Sequence, residues 1–304
     1  VFLNGGGILM ILKGKNLLIF RRLIMNGMFI LMMLYGCQNE NSTTQNAQYP
    51  HIVNDILNAQ NSLSSIPSLS RTYSLLTEDA AYKIQDLLAA ELKKKYGPVA
   101  GYKIGYADSS ALKKNGLECP AYGPFFKSRL VENGGVVPVK DFTKFSIECE
   151  VVFKIAKDID KICSSIDELN PYIESIHLGF DMSESVFDSP STTIDFIAGG
   201  AGSKYFMIGE GKNPDQVAIE DVMITVEFKD TVVYAGSSKN VLGNPWNVML
   251  AVSNDMFKRG KLLKKGDLIF SGKAAPAFKV DLKNATGTYT GKASQFTPVV
   301  CNVK

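Results

Sequence analysis

The sequence predicts an α+β fold dominated by short strands. Three features predict it: residues 145–157 alternate as a strand, apolar runs after residue 98 are cut by Gly, Pro and Asn, and helical spacing is confined largely to 77–96 and 244–260. With 304 residues, 45% of them hydrophobic, the chain can bury a substantial core.

Taken in order, the chain opens on a basic and apolar segment. Arg21 and Arg22 precede apolar residues 23–34, too few to span a bilayer comfortably, and Tyr35, Gly36 and Cys37 close the run. The arrangement resembles a bacterial lipoprotein signal. That resemblance implies that 1–36 are removed, that Cys37 carries a lipid, and that the folded part sits outside the cytoplasm, anchored to a membrane. A retained signal anchor or a buried apolar helix is the alternative. Residues ahead of Met10 are set aside as an upstream extension. Residues 37–50 are polar and aperiodic and read as a flexible tether, 51–98 as an N-terminal helical part, and 99–304 as the strand-rich domain.

Within 77–96, Thr77 can cap, while Ala80, Ile84, Leu87, Leu88 and Leu92 recur at helical spacing. Lysines 93 to 95 suit the negative end of the dipole, and Gly97 with Pro98 stops the helix. Residues 99–106 read as a short strand with Lys103 between Gly101 and Gly105. Such a lysine is either an edge residue in water or a functional amine held near a pocket. Gly123-Pro124, Asn133-Gly134-Gly135 and Pro138 read as turns leading to the central strand.

In that strand Ile147, Cys149, Val151 and Phe153 point one way, and Glu148, Glu150 and Val152 the other. Two carboxylates on one face stand roughly 6 to 7 Å apart at the backbone, close enough to share a hard cation. The alternative is a half-buried strand whose glutamates meet water. Glu174, Asp181 and Glu184 follow in a half-apolar stretch, and the glycine-rich 197–204 lacks phosphate-loop spacing. Strands are expected at 205–209 and 222–228. Asn244 and Pro245 start a helix with Trp246, Met249, Leu250, Met256 and Phe257 on one face and Gly260 at its end. Lys265-Gly266-Asp267 then turns the chain into a strand at 268–271, and strand character continues to the C-terminus.

Composition narrows the chemistry. A net charge of +3 from 33 basic and 30 acidic residues, without a basic stripe interleaved with aromatics, argues against nucleic acid as a partner. His51 and His177 are the only histidines, so a His-rich zinc site or a Ser-His-Asp triad has little material. Cys37, Cys119, Cys149, Cys163 and Cys301 form no CxxC pair. An oxidising address would permit a disulfide among the last four.

Five ordered segments then carry a resemblance: GYKIG at 101–105, NGLECPAYGPFF at 115–126, IECEVVFKIAKDI at 147–159, LGNPWN at 242–247 and KKGDLIFSG at 264–272. Together they resemble the 2-keto-4-pentenoate hydratase branch of the fumarylacetoacetate hydrolase superfamily, from about residue 80 onward. The resemblance implies a mixed, rolled sheet, a catalytic domain over 99–304, and a divalent cation, Mg²⁺ or Mn²⁺, held by an E-x-E pair and one later acid. Glu148 and Glu150 match the pair and Asp181 the third ligand, with Glu174 as the alternative. Lys103 matches a lysine associated with proton movement. The implied substrate is a small 2-oxo or 2-hydroxydienoate acid that takes up water in a lyase (hydratase) reaction. C–C hydrolysis or decarboxylation of an acylpyruvate-like acid is the first alternative, and a metal- or ligand-binding lipoprotein without turnover the second. Association into homo-oligomers is also implied. The chain departs from the pattern at Ala121, where the family has an aspartate, at Val186, where it has an arginine, and at Gly199-Gly200, where it has Asp-Asn. Glu118, three residues before Ala121, and Lys204, which matches a lysine of the hydrolase branch, are candidates to stand in. Lys103, Glu118 and Lys204 are therefore the candidate catalytic residues.

Overall fold

In a computed structural model, residues 46–73 and 75–304 are described. The expected signal segment, its Cys37 and most of the tether lie outside the described residues. A helix occupies 46–62, so helical structure begins inside the segment expected to be tether. Residues His51–Lys304 form one compact unit, in which the helical part and the strands share a single body.

The strands are β1 (Val99–Gly105), β2 (Ala121–Phe126), β3 (Leu130–Val131), β4 (Val136–Val137), β5 (Phe145–Ile155), β6 (Ile173–Ser183) and β7 (Ser203–Ile208). They continue as β8 (Met223–Phe228), β9 (Thr231–Ser237), β10 (Leu268–Phe270), β11 (Phe278–Val280), β12 (Gly287–Ala293) and β13 (Val299–Val303). One sheet runs in the order β2-β1-β10-β5-β6-β7-β3, with β11 also paired to β5, and the other β4-β13-β12-β8-β9. This is the mixed α+β architecture expected from the alternation and turn signals.

Both faces of β5 are covered. Cys149 packs toward the second sheet so closely that a Cβ on Gly291 of β12 would lie 2.7 Å from its sulfur. On the opposite face Val152 joins Phe125, Phe206, Leu268 and Phe270 in an apolar cluster. The half-buried strand with glutamates in water is therefore not what forms.

Gly123-Pro124, expected as a turn, lies within β2. That strand is at the sheet edge, where proline's missing N–H interrupts no ladder. Glycine is required at 123 because a Cβ there would sit 2.6 Å from the Ala201 Cβ.

The helix Glu78–Tyr96 begins where Thr77 accepts a hydrogen bond from the Ala80 amide at 3.2 Å, and it ends at Gly97 with φ +80°. Its buried Gln85 donates to the carbonyls of Tyr122 and Ile197, both at 2.8 Å. That amide ties the helix to β2 and to the helix Thr193–Ala198. The helix Pro245–Lys258 buries Trp246, Met249, Val252 and Met256, whereas Leu250 and Phe257, expected on the same face, are half-buried. Cys119, Cys149, Cys163 and Cys301 are all free thiols, so the disulfide allowed by sequence does not form among them.

Candidate active site

The site is set by the register of two strands. Glu148 on β5 stands opposite Asp181 on β6, and Glu150 stands opposite Gly179. The three acids each offer one carboxylate oxygen, and these oxygens lie within 4.8 Å of one another. Glu150 and Asp181 are fully buried and the Glu148 side chain is 12% exposed. Gly179 leaves the space beside Glu150 to its neighbours: a Cβ there would lie 2.7 Å from Val152 and 2.8 Å from Phe270.

β1 lies between β2 and β10, so Lys103 is not an edge lysine. It is 4% exposed, and its Nζ sits 2.5 Å from Asp181 Oδ2. Glu150 Oε2 accepts a hydrogen bond from the Gly272 amide at 2.7 Å, and Lys273 Nζ approaches Glu148 Oε1 at 3.7 Å. Among the described residues Glu150 Oε1 and Asp181 Oδ1 have no hydrogen-bond partner.

Charge and burial pull in opposite directions here. Burial, then the charges of Asp181 and Glu148, raise the Glu150 carboxyl well above its usual range. Burial pushes Asp181 up to about 6, with Lys103 opposing and Glu148 reinforcing. For Lys103 burial alone would lower the value, but Asp181 and Glu148 outweigh it and raise it, which favours the ammonium form. Buried carboxyl oxygens without donors are costly unless something positive meets them. An all-oxygen set with unspent lone pairs fits a hard divalent cation and not a thiophilic one.

A pH dependence follows. Because Asp181 titrates near 6, above its ordinary value of 3.8, the folded chain holds more protons than the unfolded chain across that window. Stability of the metal-free protein should fall as pH rises through it. Magnesium binds the deprotonated carboxylates, so the Tm gained on adding it should be at least about 3 °C larger at pH 7.5 than at pH 5, on the order of 1 kcal/mol. Equal gains by scanning calorimetry would count against a shared cation.

Of the three acids Glu148 opens on a cavity of about 510 Å³, whose walls also include Lys103, Lys273, Ser146, Ser183 and Gln60, while Glu150 and Asp181 are fully buried outside its lining. The serine hydroxyls lie 3.1 Å apart across β5 and β6. Of the other expected residues, Glu118 does not join the site. It is exposed in the segment before β2, outside the cavity, and its charge bears on Glu78. A loop residue ahead of the strand is not aimed by the ladder as a strand residue would be. Glu174 is also elsewhere: it is exposed and ion-paired to Lys154 at 2.6 Å, seven residues from Asp181 and so about 23 Å along β6. Lys204 pairs with Glu184 at 2.6 Å and borders a neighbouring, smaller cavity. Sequence reasoning missed Lys273, the Gly272 amide and Gln60. Gly272 closes the strand motif 264–272 and Lys273 follows it directly, which was the available signal, and nothing in the polar N-terminal segment marked Gln60.

Comparison with known proteins settles the family. The family model of the fumarylacetoacetate (FAA) hydrolase C-terminal region matches residues 117–290, more than half of the chain. The chain belongs to the fumarylacetoacetate hydrolase family. Among relatives in this family, a 4-oxalocrotonate decarboxylase of Pseudomonas sp. (strain CF600) is 26% identical over 267 residues, covering 84% of this chain and 97% of the relative. A 2-keto-4-pentenoate hydratase of Paraburkholderia xenovorans (strain LB400) is 23% identical over 230 residues, 73% of this chain and 83% of the relative. The solved 4-oxalocrotonate decarboxylase from Pseudomonas putida G7, complexed with magnesium and adipate, superposes with a TM-score of 0.79 at 21% identity, covering 85% of this chain and 98% of that one. The structural likeness establishes the family's curled-sheet fold, as the resemblance implied.

Proposed function

We propose that the chain is a divalent-metal-dependent enzyme that acts on a 2-oxo or 2-hydroxydienoate acid in the manner of a hydratase. The observation that carries this reading is the convergence of Glu148, Glu150 and Asp181, with oxygens unpartnered among the described residues, beside the buried Lys103, with Glu148 and Lys103 in one cavity wall. Relatives that are hydratases and decarboxylases support it, as does the magnesium of the solved decarboxylase. Decarboxylation is the second reading. It is favoured by the decarboxylase match, which spans 84% of the chain against 73% for the hydratase. Both reactions need negative charge stabilised on the oxygen of a 2-oxo acid.

Glu148, Glu150 and Asp181 would hold Mg²⁺ or Mn²⁺, which supplies Lewis acidity toward that oxygen. Lys103 offers an ammonium that can donate a proton or a hydrogen bond at Nζ. The Phe196 ring, its centroid 6.0 Å from that nitrogen, helps shield the amine from water. The Gly272 amide fixes the orientation of Glu150. Ser146 and Ser183 offer hydroxyls along the cavity wall, where a substrate oxygen can be oriented.

Purified protein should consume 2-hydroxydienoates or 4-oxalocrotonate-type acids, followed by ultraviolet absorbance, with magnesium and not with a chelator. Hydrated product identifies the hydratase, and released CO₂ the decarboxylase. Bound metal without turnover on either class or on acylpyruvates would sink the enzyme reading.

The lipid anchor belongs to the same proposal, supported by Arg21, Arg22, the apolar 23–34 and Cys37. Expressed from its full reading frame in a bacterium, the protein should fractionate with membranes in a lipid-modified form. Cys37→Ala should lose that modification; a variant of unchanged mass shift and membrane partition would remove the anchor.

A further inference from the structure

Two unlike kinds of side chain line the large cavity. Ser146, Ser183, Glu148 and Lys273 give it polar and charged groups, while Tyr106 and Phe196 give it two aromatic rings. The rings stand edge to face, their centroids 5.3 Å apart and their planes at 89°. Shielding Lys103 uses Phe196 alone and leaves Tyr106 without a task.

Both rings are held in place. Tyr106 follows β1 with φ +58°, a left-handed conformation that bulky side chains rarely adopt, so its position beside the cavity is kept at a conformational cost. Phe196 lies directly on the backbone of β1: a Cβ on Gly105 would sit 2.4 Å from its Cζ. Gly105 pairs with Ala121 of β2, and residues directly opposite in an antiparallel pair present the same face, so the ring shares that face with a methyl group. Asp195, the residue before Phe196, is fully buried and accepts hydrogen bonds from Ser68 Oγ at 2.8 Å, the Leu69 amide at 2.5 Å and the Thr192 amide at 2.7 Å. Those bonds fasten the helix Thr193–Ala198, and with it Phe196, to the N-terminal segment. Burial raises the Tyr106 hydroxyl above its ordinary range, so neither ring carries charge near neutral pH. A fixed, uncharged pair of rings offers a face and an edge to a flat π system and little to an ion. At about 510 Å³ the cavity has room for such a group beside Glu148.

We propose that Tyr106 and Phe196 determine specificity by receiving an aryl or similarly flat, uncharged tail of the substrate. The proposal rests on the functional reading above, in which the 2-oxo end meets Glu148, Glu150 and Asp181.

Calorimetric titration of the magnesium-loaded full chain tests it with 2-oxobutanoate, 2-oxo-4-cyclohexylbutanoate and 2-oxo-4-phenylbutanoate, which share one acid end and differ in the tail. The phenyl acid should bind about tenfold tighter than 2-oxobutanoate and about threefold tighter than the cyclohexyl acid, the first from apolar burial and the second from ring-on-ring geometry. Phe196→Leu and Tyr106→Leu keep the apolar bulk, and each should erase the preference for phenyl over cyclohexyl, a loss that bulk alone would not produce. The rise in Tm on adding magnesium checks that a variant is folded, and either folded variant suffices. A cyclohexyl acid that binds as tightly as the phenyl acid, or a phenyl preference that survives in a folded variant, overturns the role of the two rings and leaves the functional reading standing. Absence of magnesium-dependent binding by all three acids overturns the functional reading, and the specificity assignment with it.

Discussion

Replacing Glu150 by glutamine is expected to weaken magnesium binding by at least about a hundredfold and to lower turnover by about a thousandfold. The same change should raise the Tm of the metal-free protein. Glutamine keeps the shape of the side chain, and its carbonyl oxygen can still accept the Gly272 amide. What it removes is an ionisable carboxyl in a fully buried position, close to Asp181 and Glu148, which burial and those neighbours drive toward its neutral form. Relieving the cost of burying such a group is worth about 1–3 kcal/mol, or several degrees of Tm. Loss of function with gain of stability is the signature of a site kept under electrostatic strain for a ligand. Unchanged metal content by elemental analysis of Glu150→Gln would remove Glu150 from the site, and a loss of stability would assign it a structural role.

The period-two pattern made the Glu148/Glu150 pair legible, because two acids at i and i+2 share a strand face whatever the strand packs against. The third acid was not legible in the same way. Glu174 and Asp181 sit on one strand an odd number of residues apart, so they belong to opposite faces, and only the pairing of β5 with β6 decides which meets Glu148. Register is a long-range property, so the family resemblance had to supply it. Lys103 shows the same limit. Its strand is central because β10, formed by residues near 270, pairs with it, and no local pattern announces a partner so distant in the chain. Gly123-Pro124 was misread because one dipeptide suits both a turn and an edge strand, and the packing of Ala201 against position 123 chose the strand.

Lys103→Met should separate proton transfer from metal binding. Methionine retains the apolar stem within the strand and removes the ammonium 2.5 Å from Asp181 Oδ2. If Lys103 supplies a proton or a fixed positive charge to the reacting oxygen, turnover should fall about 10²- to 10⁴-fold. Magnesium affinity should hold or rise, because the amine and a cation compete for the same carboxylate oxygen. Stability should move with the metal: without it, Glu148, Glu150 and Asp181 lose their closest compensating charge and Tm drops, and magnesium should restore more than it adds to the unaltered protein. The reverse pattern, weakened metal binding with turnover preserved at saturating magnesium, would make Lys103 a structural counter-ion. Catalysis would then have to be sought among the hydroxyls of Ser146 and Ser183, which share the cavity wall with Lys103.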